Sequence, residues 1–253
     1  MAQTLEAPVS EPLPSRKTVE LRGVVRRFGE LVALDGVSLV ARPGDVVAVV
    51  GPSGCGKSTL LELLAGLQRP DHGEVAAPAA AYMPQRDLLL PWRSALDNAG
   101  LALECAGVRR RQARAQARPL FERFGLAGFE DAKPWELSGG MRQRVALVRT
   151  FLTGRELALL DEPFASLDAI TRASLQEWLA EALRTEPRTV VLVTHDVVEA
   201  LYLADRVVVL SPRPGRVVAE IAVPLARPRP RRQTVTSPEF LALEQRALEA
   251  LES

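Results

Sequence analysis

Cysteine, histidine and lysine are scarce in this sequence of 253 residues. Its two cysteines predict no disulfide framework, and no C-x-x-C spacing indicates a metal site, so we expect a reducing compartment. Arginine is the dominant cation, since only three lysines are present. Because positive and negative charges nearly cancel, at a formal net charge of +1, the composition does not indicate a nucleic-acid-binding surface.

Long apolar runs are also absent. No stretch approaches the roughly 18 residues that a membrane-spanning helix needs, so a soluble chain is expected, with any membrane role supplied through a partner. Residues 1–16 carry acidic residues and several prolines and lack the apolar core of a signal peptide. We predict that they form a disordered tail.

The strongest positive signal is a glycine-rich stretch. Residues 51–58 match the pattern G-x-x-x-x-G-K-[ST] in full, which chance would produce in about one of a thousand sequences of this composition. Glycines let backbone N–H groups line a nest for phosphate oxygens, the lysine adds positive charge, and the hydroxyl can bind Mg²⁺. The sequence therefore predicts a nucleoside triphosphate site formed by Gly51, Pro52, Ser53, Gly54, Cys55, Gly56, Lys57, Ser58 and Thr59.

The surroundings of this stretch predict the fold class. Residues 46–50 are typical of a strand buried on both faces, and residues 60–67 fit a helix. Two more buried-strand runs, 157–160 and 189–193, flank a predicted helix at 170–184. Strands that alternate with helices predict an α/β protein with a parallel sheet. The other predicted elements are an alternating strand at 37–41, an arginine-rich helix at 108–124, a hairpin formed by 206–210 and 216–223, and a last helix capped by Ser237.

A second anion site is predicted at another helix start. Ser138 is placed to cap a helix that begins at Gly139, which would leave free N–H groups and the positive end of the helix dipole at its tip. One nucleotide rarely needs two such tips from one chain. The arrangement is useful if the tip meets a nucleotide that another copy of the chain holds.

Four further segments establish a family resemblance. They are 137–140 (LSGG), 159–163 (LLDEP), 166–168 (SLD) and 193–196 (VTHD). Together with the phosphate loop, and in this order, they make residues 19–216 resemble the ATP-binding cassette family, the ATPase subunits of ABC transporters.

The resemblance implies the ABC ATPase fold. That fold has a P-loop NTPase core with a parallel sheet, an N-terminal antiparallel β subdomain and a helical subdomain, here at about 91–145. The resemblance places the ABC ATPase domain at 17–223, followed by an Arg/Pro linker and a C-terminal helix at 224–253.

The resemblance also assigns roles to individual side chains. Adjacent residues on a strand point to opposite faces, so Asp161 and Glu162 are expected in different environments. The resemblance implies that Asp161 binds Mg²⁺ and that Glu162 polarises the attacking water, with a merely polar strand end as the alternative. It implies that His195 is a switch that contacts the γ-phosphate; a structural histidine is the plainer interpretation.

Other roles depend on the resemblance alone. Gln85 would join the Mg²⁺ site to the membrane-facing lobe, and Phe28 would stack on adenine unless it is a core residue. Asp168 would lie at a dimer interface near the partner's nucleotide. Catalysis would combine Lys57, Mg²⁺ and the helix tip of a second cassette, formed by Ser138, Gly139 and Gly140.

The resemblance implies partners as well. A second ABC ATPase subunit, expected to be identical, would pack head to tail with this one. Two transmembrane permease subunits and, indirectly, an extracytoplasmic solute-binding protein would complete the assembly at the cytoplasmic face of the inner membrane. Residues 83–98, 149–172 and 194–216 resemble importer cassettes of the nitrate/sulfonate/taurine group, which includes transporters of pyrimidine-type vitamin precursors.

Three expectations concern particular residues. Cys55 lies beside Lys57 and a helix start, surroundings that lower a thiol pKa, so alkylation of Cys55 is hypothesised to block ATPase activity; an inert filler is the alternative. The segment 86–97 is expected in part to line a groove for a helix of the membrane subunit, or else to pack in the core. The arginine-rich helix is expected to be a solvated face, with contact to anionic lipids as the rival.

Other function classes remain as alternatives. A soluble ABC-type ATPase without a permease would be expected to carry long coiled-coil insertions or a tandem cassette, and neither is present between Thr59 and Glu136. A P-loop phosphotransferase would not need the Ser138 tip or His195. An exporter cassette is often fused to membrane helices.

Overall fold

The computed structural model describes residues 17–165, 167–185 and 187–252, so the predicted tail at 1–16 and Ser166 lie outside the described residues. Nine strands form two sheets in these ranges. A small antiparallel sheet has the order β2-β1-β4, and a larger sheet has the order β5-β6-β7-β3-β8-β9. The strands are β1 (Val19–Phe28), β2 (Leu31–Ala41), β3 (Val46–Val50), β4 (His72–Ala76), β5 (Ala80–Met83), β6 (Leu157–Asp161), β7 (Thr189–Thr194), β8 (Arg206–Leu210) and β9 (Val217–Ala222).

The larger sheet is parallel from β5 to β8, and only β9 runs antiparallel to its neighbour. All residues of β3, β6 and β7 are buried, as the continuous apolar runs predicted. The alternating pattern of β2 is also confirmed, because Val37, Leu39 and Ala41 are buried while Ser38 and Val40 are exposed. The chain therefore has the α/β fold with a parallel sheet that the sequence predicted.

Helices cover both faces of this sheet. Val47 and Val49 pack with Leu60 of the first helix and with the small sheet. Val46 and Ala48 belong to a second core that contains the later helices. The helices are α1 (Lys57–Leu64), α2 (Ala95–Ala99), α3 (Leu101–Cys105), α4 (Arg110–Arg123), α5 (Gly139–Phe151), α6 (Ala169–Thr185), α7 (Val197–Leu203), α8 (Arg231–Thr234) and α9 (Pro238–Glu252). Among the described residues, none of these helices combines the length and the apolar character needed to cross a membrane.

Both predicted boundaries of the first helix are wrong. The first helix was expected at 60–67, but α1 begins at Lys57 and ends at Leu64. It stops early because Gly66, two residues on, has φ +71, a left-handed conformation that ends helices. At the other end of the chain the prediction is confirmed, since the Ser237 hydroxyl accepts a hydrogen bond from Phe240 N at 3.2 Å and caps α9.

The arginine-rich helix α4 is not simply a solvated face. Arg110 and Arg114 both donate hydrogen bonds to Asp97, whose side chain is buried on α2. Burial opposes ionisation of Asp97, but the hydrogen bonds from Arg110, Ser94 and Arg114 outweigh it and hold the pKa of Asp97 well below its usual range. Arg118 pairs with Glu130 at 3.3 Å. These arginines therefore attach α4 to α2 and to the loop at 130–131.

The segment after β9 is held by one buried cation. Arg229 donates hydrogen bonds to the carbonyls of Leu201, Tyr202 and Ala204, at the C-terminal end of α7. It also donates to the carbonyl oxygens of Val223 and Leu225, which lie on its own segment. Helix C-termini leave carbonyls unpaired, so Arg229 satisfies groups that would otherwise be buried without partners. Burial lowers the pKa of this guanidinium to about 10.

We therefore expect Arg229→Met to lower the free energy of unfolding by about 2–4 kcal/mol, because it leaves several buried carbonyls unpaired. Urea unfolding followed by circular dichroism measures the change. Arg232→Met is the matched control, since Arg232 is exposed, and it should change stability by less than about 0.5 kcal/mol. Equal stability of the two variants would contradict the capping role.

Candidate nucleotide-binding site

The carboxyl ends of four neighbouring strands meet at one edge of the large sheet. Gln85 follows β5, Asp161 ends β6, His195 follows β7, and the phosphate loop at 51–56 follows β3. In open α/β sheets, ligands bind outside the carboxyl ends of the strands. The topology therefore brings together groups that lie far apart in the sequence.

Glycine is required where the phosphate loop passes its neighbours. Gly54 has φ +75 and Gly56 has φ +105, conformations that other residues adopt only with strain. A Cβ atom on Gly56 would lie 2.8 Å from Ala33 O, and a Cβ atom on Gly51 would lie 2.8 Å from the sulfur of Cys55. The loop can therefore pack against β2 and expose its backbone N–H groups to a ligand.

Lys57 is held against this loop. Its Nζ atom donates hydrogen bonds to Gly51 O at 2.7 Å and to Pro52 O at 2.9 Å, and the side chain is largely buried. The positive charge therefore lies beside the backbone groups that can receive phosphate, which strengthens attraction for an anion.

Asp161 and Ser58 form an oxygen pair suited to a divalent cation. The Asp161 side chain is only 3% exposed and accepts a hydrogen bond from the Ser58 hydroxyl. Burial raises the pKa of Asp161, although the hydrogen bond from Ser58 opposes that shift. Mg²⁺ prefers oxygen ligands and would repay the desolvation of this carboxylate, and Gln85 lines the same cleft. The three predicted metal-binding residues fit Mg²⁺.

Contacts hold both the backbone and the carboxylate of Glu162 in place. Its backbone has φ +48, in the left-handed region that non-glycine residues rarely occupy. Its N–H donates to Val193 O at 2.8 Å. One carboxylate oxygen accepts a hydrogen bond from Gln85 Nε2 at 3.2 Å, and the other lies 3.3 Å from His195 Nδ1. Such strain is found at functional sites, where the surroundings hold a residue in an unfavourable conformation.

Phe28 lies at the edge of the cleft and not in the core. Its side chain is 43% exposed, and the guanidinium of Arg26 lies 4.6 Å from the centre of the ring. The alternative of a core phenylalanine is therefore wrong. The cleft between the two sheets has a volume of about 370 Å³, within the range of small-molecule sites. Its lining residues are Phe28, Leu31, Ala33, Ser53, Gly54, Gly56, Lys57, Ser58, Thr59, Gln85, Asp161, Glu162 and Arg213.

The second predicted anion site lies elsewhere. Ser138 caps α5, since its hydroxyl accepts a hydrogen bond from Met141 N at 3.2 Å, and this confirms the predicted cap. Ser138 and Gly139 are exposed. Together with Gly140, they are not among the described residues that line the cleft. The α5 tip is therefore open to a partner rather than to this chain's own cleft.

Asp168 is likewise outside the cleft lining in the described part of the chain. Its Oδ1 atom accepts hydrogen bonds from Thr171 N at 3.0 Å and Ile170 N at 3.1 Å, at the start of α6. The hydrogen bond from the Thr171 backbone is the largest cause of a lowered pKa for Asp168. The exposed side chains of Asp168 and Ile170 leave this helix start accessible.

The expected reactivity of Cys55 is wrong in direction. Its side chain is fully buried beneath the loop. Burial raises the pKa of the thiol and exceeds the opposing effect of the Lys57 charge. The thiolate is the reactive form, so the structure removes the basis for the proposed sensitivity of Cys55 to alkylation.

Two polar residues near the site were missed by sequence reasoning. Arg213, in the β8–β9 connection, lines the cleft. Glu199, on α7, lies in a small cavity beside Glu162 and His195 and is 4% exposed. Its Oε2 atom accepts a hydrogen bond from Gln176 Nε2 at 3.3 Å. Burial raises the pKa of Glu199 to about 8, and no local sequence pattern signals this burial.

A separate surface carries exposed apolar side chains, and we call Leu88, Trp92 and Trp135 the apolar surface. Trp92 is 70% exposed and the other two are also largely exposed. Lys133 Nζ donates to Trp92 O at 3.1 Å, which brings the segment of Trp135 beside Trp92. By contrast, Leu89 is buried. The segment 86–97 is therefore divided between core packing and a surface that suits a partner.

Comparison with known proteins agrees with this geometry. The family model described as "ABC transporter" matches residues 34–165. The chain is 45% identical over 220 residues to an aliphatic sulfonates import ATP-binding protein of Rhodococcus jostii, covering 84% of this chain and 86% of that protein. It is 45% identical over 194 residues to a formylaminopyrimidine import ATP-binding protein of Halalkalibacterium halodurans, covering 76% of this chain and 78% of that protein.

A solved structure is also similar. It is a dimeric, post-hydrolysis state of an ATP-binding cassette bound to ADP and phosphate, and it matches with a TM-score of 0.75 and 29% sequence identity. The match covers 82% of this chain and all of that one.

The buried carboxyl of Glu199 should make stability depend on pH. In the native chain its pKa is about 8, against an ordinary value of 4.5, so between these values the native state holds a proton that the unfolded state releases. The free energy of unfolding must then fall as pH rises through this range. Glu199→Gln keeps the neutral shape, so its stability relative to the parent should rise by a few kcal/mol between about pH 5 and pH 8.

Urea unfolding at several pH values measures this difference. Glu177→Gln, an exposed change on the neighbouring helix α6, is the matched control and should stay within about 0.5 kcal/mol of the parent. Parallel pH profiles of Glu199→Gln and the parent would show that Glu199 does not hold a proton in the native state.

Proposed function

Because the chain belongs to the ABC transporter family and is an ABC-type ATPase, we propose that it acts as one half of a head-to-tail dimer that drives solute uptake through membrane subunits. One observation carries this proposal. The phosphate loop before α1 lines the cleft, whereas the glycine-rich start of α5 is exposed outside it. Each chain then holds two incomplete halves of a nucleotide site.

The start of α5 has the features of an anion-binding site. A Cβ atom on Gly139 would meet only Arg142 Nη2, at 3.8 Å, so the backbone is open to close approach. The positive end of the dipole of α5 favours negative charge. In the proposed dimer, the α5 tip of one chain covers the nucleotide in the other chain's cleft, and the second copy is identical. The similarity to a dimeric cassette bound to ADP and phosphate supports this arrangement.

Within each composite site, Lys57 would neutralise charge on the phosphates, and the other loop residues would bind them through backbone N–H groups. Ser58, Asp161 and Gln85 would hold Mg²⁺, which supplies charge neutralisation when bound. The ring of Phe28 would stack on adenine, since its side chain lines the cleft and is 43% exposed.

Glu162 would accept a hydrogen bond from the attacking water and orient it. Gln85 donates to one oxygen of the carboxylate and His195 Nδ1 lies 3.3 Å from the other, so the two contacts position Glu162. Phosphate oxygens accept hydrogen bonds, so His195 would donate a ring N–H to the terminal phosphate. Positioning of this kind lowers the barrier because the groups are already oriented before reaction.

Loss of the terminal phosphate would open the dimer. The Ser138 tip of each chain would face the terminal phosphate in the other chain's cleft, and Asp168 would lie at the same interface. Cleavage removes part of the negative charge that the tip binds, so the closed state would lose stability. Opening would then move the membrane subunits.

The membrane partners would dock on the apolar surface. Its exposed tryptophans suit burial against an apolar helix, and neither is among the described residues that line the cleft. We propose two permease subunits as partners, an extracytoplasmic solute-binding protein as an indirect partner, and a location at the cytoplasmic face of the inner membrane. No nucleic acid takes part.

The solute would be a sulfonate-, taurine- or nitrate-like anion or a vitamin precursor. The similar proteins named for import of aliphatic sulfonates and of formylaminopyrimidine support this range. A soluble ABC-type ATPase without a permease is the alternative, and the exposed apolar surface argues against it.

We expect Glu162→Gln to reduce ATP turnover by about 10²–10⁴-fold, because the amide cannot take the proton of the attacking water. ATP binding should persist, and the variant should form an ATP-dependent dimer that size-exclusion chromatography with light scattering detects. Adding Ser138→Arg to Glu162→Gln should abolish that dimer while each monomer still binds ATP.

Glu122→Gln, an exposed change on α4, is the control and should leave turnover and dimerisation as in the parent. Turnover per chain that stays constant on dilution into the monomeric range would rule out the composite site.

Trp92→Glu should release the chain from its membrane partners, since a carboxylate in an apolar contact is costly to desolvate. Membrane fractionation of the native host expressing the tagged chain measures the bound share, and ATP binding in solution should not change. Leu67→Glu is the matched control, because Leu67 is equally exposed but lies outside the apolar surface. Equal membrane recovery of the two variants would reject docking at this surface.

A further inference from the structure

The β8–β9 connection is fastened to the nucleotide site. Gly215 N donates to Ala33 O, and Asp35 N donates to Gly215 O, both at 3.0 Å, so the connection runs beside β2. A Cβ atom on Gly215 would lie 2.1 Å from Cys55 O. The connection therefore packs directly on the backbone of the phosphate loop, at a distance that leaves no room for a side chain.

The conformation of the connection is fixed from within as well. The Ser211 hydroxyl donates to Pro214 O and accepts a hydrogen bond from Arg216 N, both at 3.0 Å. Arg216 forms an ion pair with Asp35 on β2. The two bonds of the Ser211 hydroxyl fix the backbone on both sides of Arg213, whereas the Arg216 ion pair is largely exposed and adds little.

Arg213 reaches across the phosphate loop. Its Nε atom donates to Gly54 O at 3.0 Å. A Cβ atom on Gly54 would lie 2.9 Å from Arg213 Nη2, so the guanidinium plane covers this glycine closely. In the described part of the chain this is the only hydrogen bond of Arg213, which leaves the donors of Nη1 and Nη2 for a ligand.

These donors can reach a ligand because Arg213 lines the cleft, as Lys57 does. The same cleft contains Asp161 and Glu162, so its cationic groups must balance two carboxylates as well as a polyanionic ligand. A guanidinium presents parallel N–H groups that match two phosphate oxygens, and such charge-assisted bonds are about twice as strong as neutral ones.

We propose that Arg213 is a nucleotide-binding residue that contacts the phosphate chain from the β8–β9 connection. Its hydrogen bond to Gly54 O fixes the guanidinium, and its terminal nitrogens bind phosphate oxygens of both ATP and ADP. Arg213 follows β8, which lies on the opposite side of β3 from the three strands that precede Gln85, Glu162 and His195. It therefore contributes equally to ground-state and transition-state binding, which changes KM and not kcat.

Arg213→Gln tests this role. The amide keeps an N–H for Gly54 O but removes the charge and the fork of donors. The dissociation constants of Mg-ADP and Mg-ATP, measured on the full chain by equilibrium dialysis, should rise about tenfold or more, as should the KM for ATP. The kcat should stay within about twofold, and affinity for ADP should depend less steeply on salt than in the parent.

Arg216→Gln is the matched control, because it lies in the same connection and pairs with Asp35 instead of lining the cleft. It should leave the ADP affinity unchanged. Adenosine, which has no phosphate, should compete equally well in Arg213→Gln and the parent. Arg213→Lys restores a point charge and should recover most of the lost ADP affinity.

Two results would overturn the proposal. A loss of adenosine affinity as large as the loss for ADP would place Arg213 on the base or sugar. A fall in kcat and melting temperature with unchanged ADP affinity would make Arg213 only a support for the loop. Should Arg213→Gln fail to fold, Arg213→Ala takes its place: a tenfold weaker ADP affinity with parental adenosine affinity supports the contact, and a parental ADP affinity overturns it.

Discussion

The site depends on the close approach of the phosphate loop to β2, to the end of β8 and to the β8–β9 connection, and each approach is made at a glycine. A Cβ atom on Gly56 would lie 2.8 Å from Ala33 O, one on Gly51 would lie 3.0 Å from Leu210 O, and one on Gly215 would lie 2.1 Å from Cys55 O. The phosphate loop is thus held between β2 on one side and the β8–β9 connection on the other. Because interiors are close-packed, a side chain at any of these glycines would separate segments that together shape the cleft.

This packing lets adjacent carboxylates take different tasks. Asp161 ends β6 in a buried position beside Ser58, where burial raises its pKa and a cation would offset the cost. The next residue, Glu162, leaves the strand with φ +48 and turns its carboxylate toward Gln85 and His195. Different surroundings for two neighbouring acids are a common means of dividing chemistry between them. Here the division depends on a backbone conformation that is costly for glutamate and is maintained by the hydrogen bond from Glu162 N to Val193 O.

Much of this arrangement was predictable from local sequence. The buried run of β3, the glycine pattern after it and the cap at Ser138 are each encoded within about ten residues, and the structure has all three. What could not be predicted depends on tertiary contacts. The loop sequence suggests that Lys57 lowers the pKa of Cys55, but the burial that reverses the direction comes from packing beneath the loop. Arg213 looks like a turn residue until β8 is placed beside β3. Glu199 resembles an ordinary acidic residue in the first turn of a helix, and only the packing of α6 on α7 encloses it.

One helix joins the three regions that the proposed cycle needs. The tip of α5 carries Ser138, and its Gln143 lies with Nε2 at 3.4 Å from Glu162 O. Further along, Arg149 donates to the carbonyls of Asp87 and Leu88, at 2.6 and 3.0 Å, and so supports the base of the apolar surface. A helix of 13 residues bends little over this length. In the proposed cycle, displacement of the apolar surface relative to the sheet would therefore reach both the α5 tip and the backbone of Glu162, and so could couple a membrane partner to both halves of a composite site.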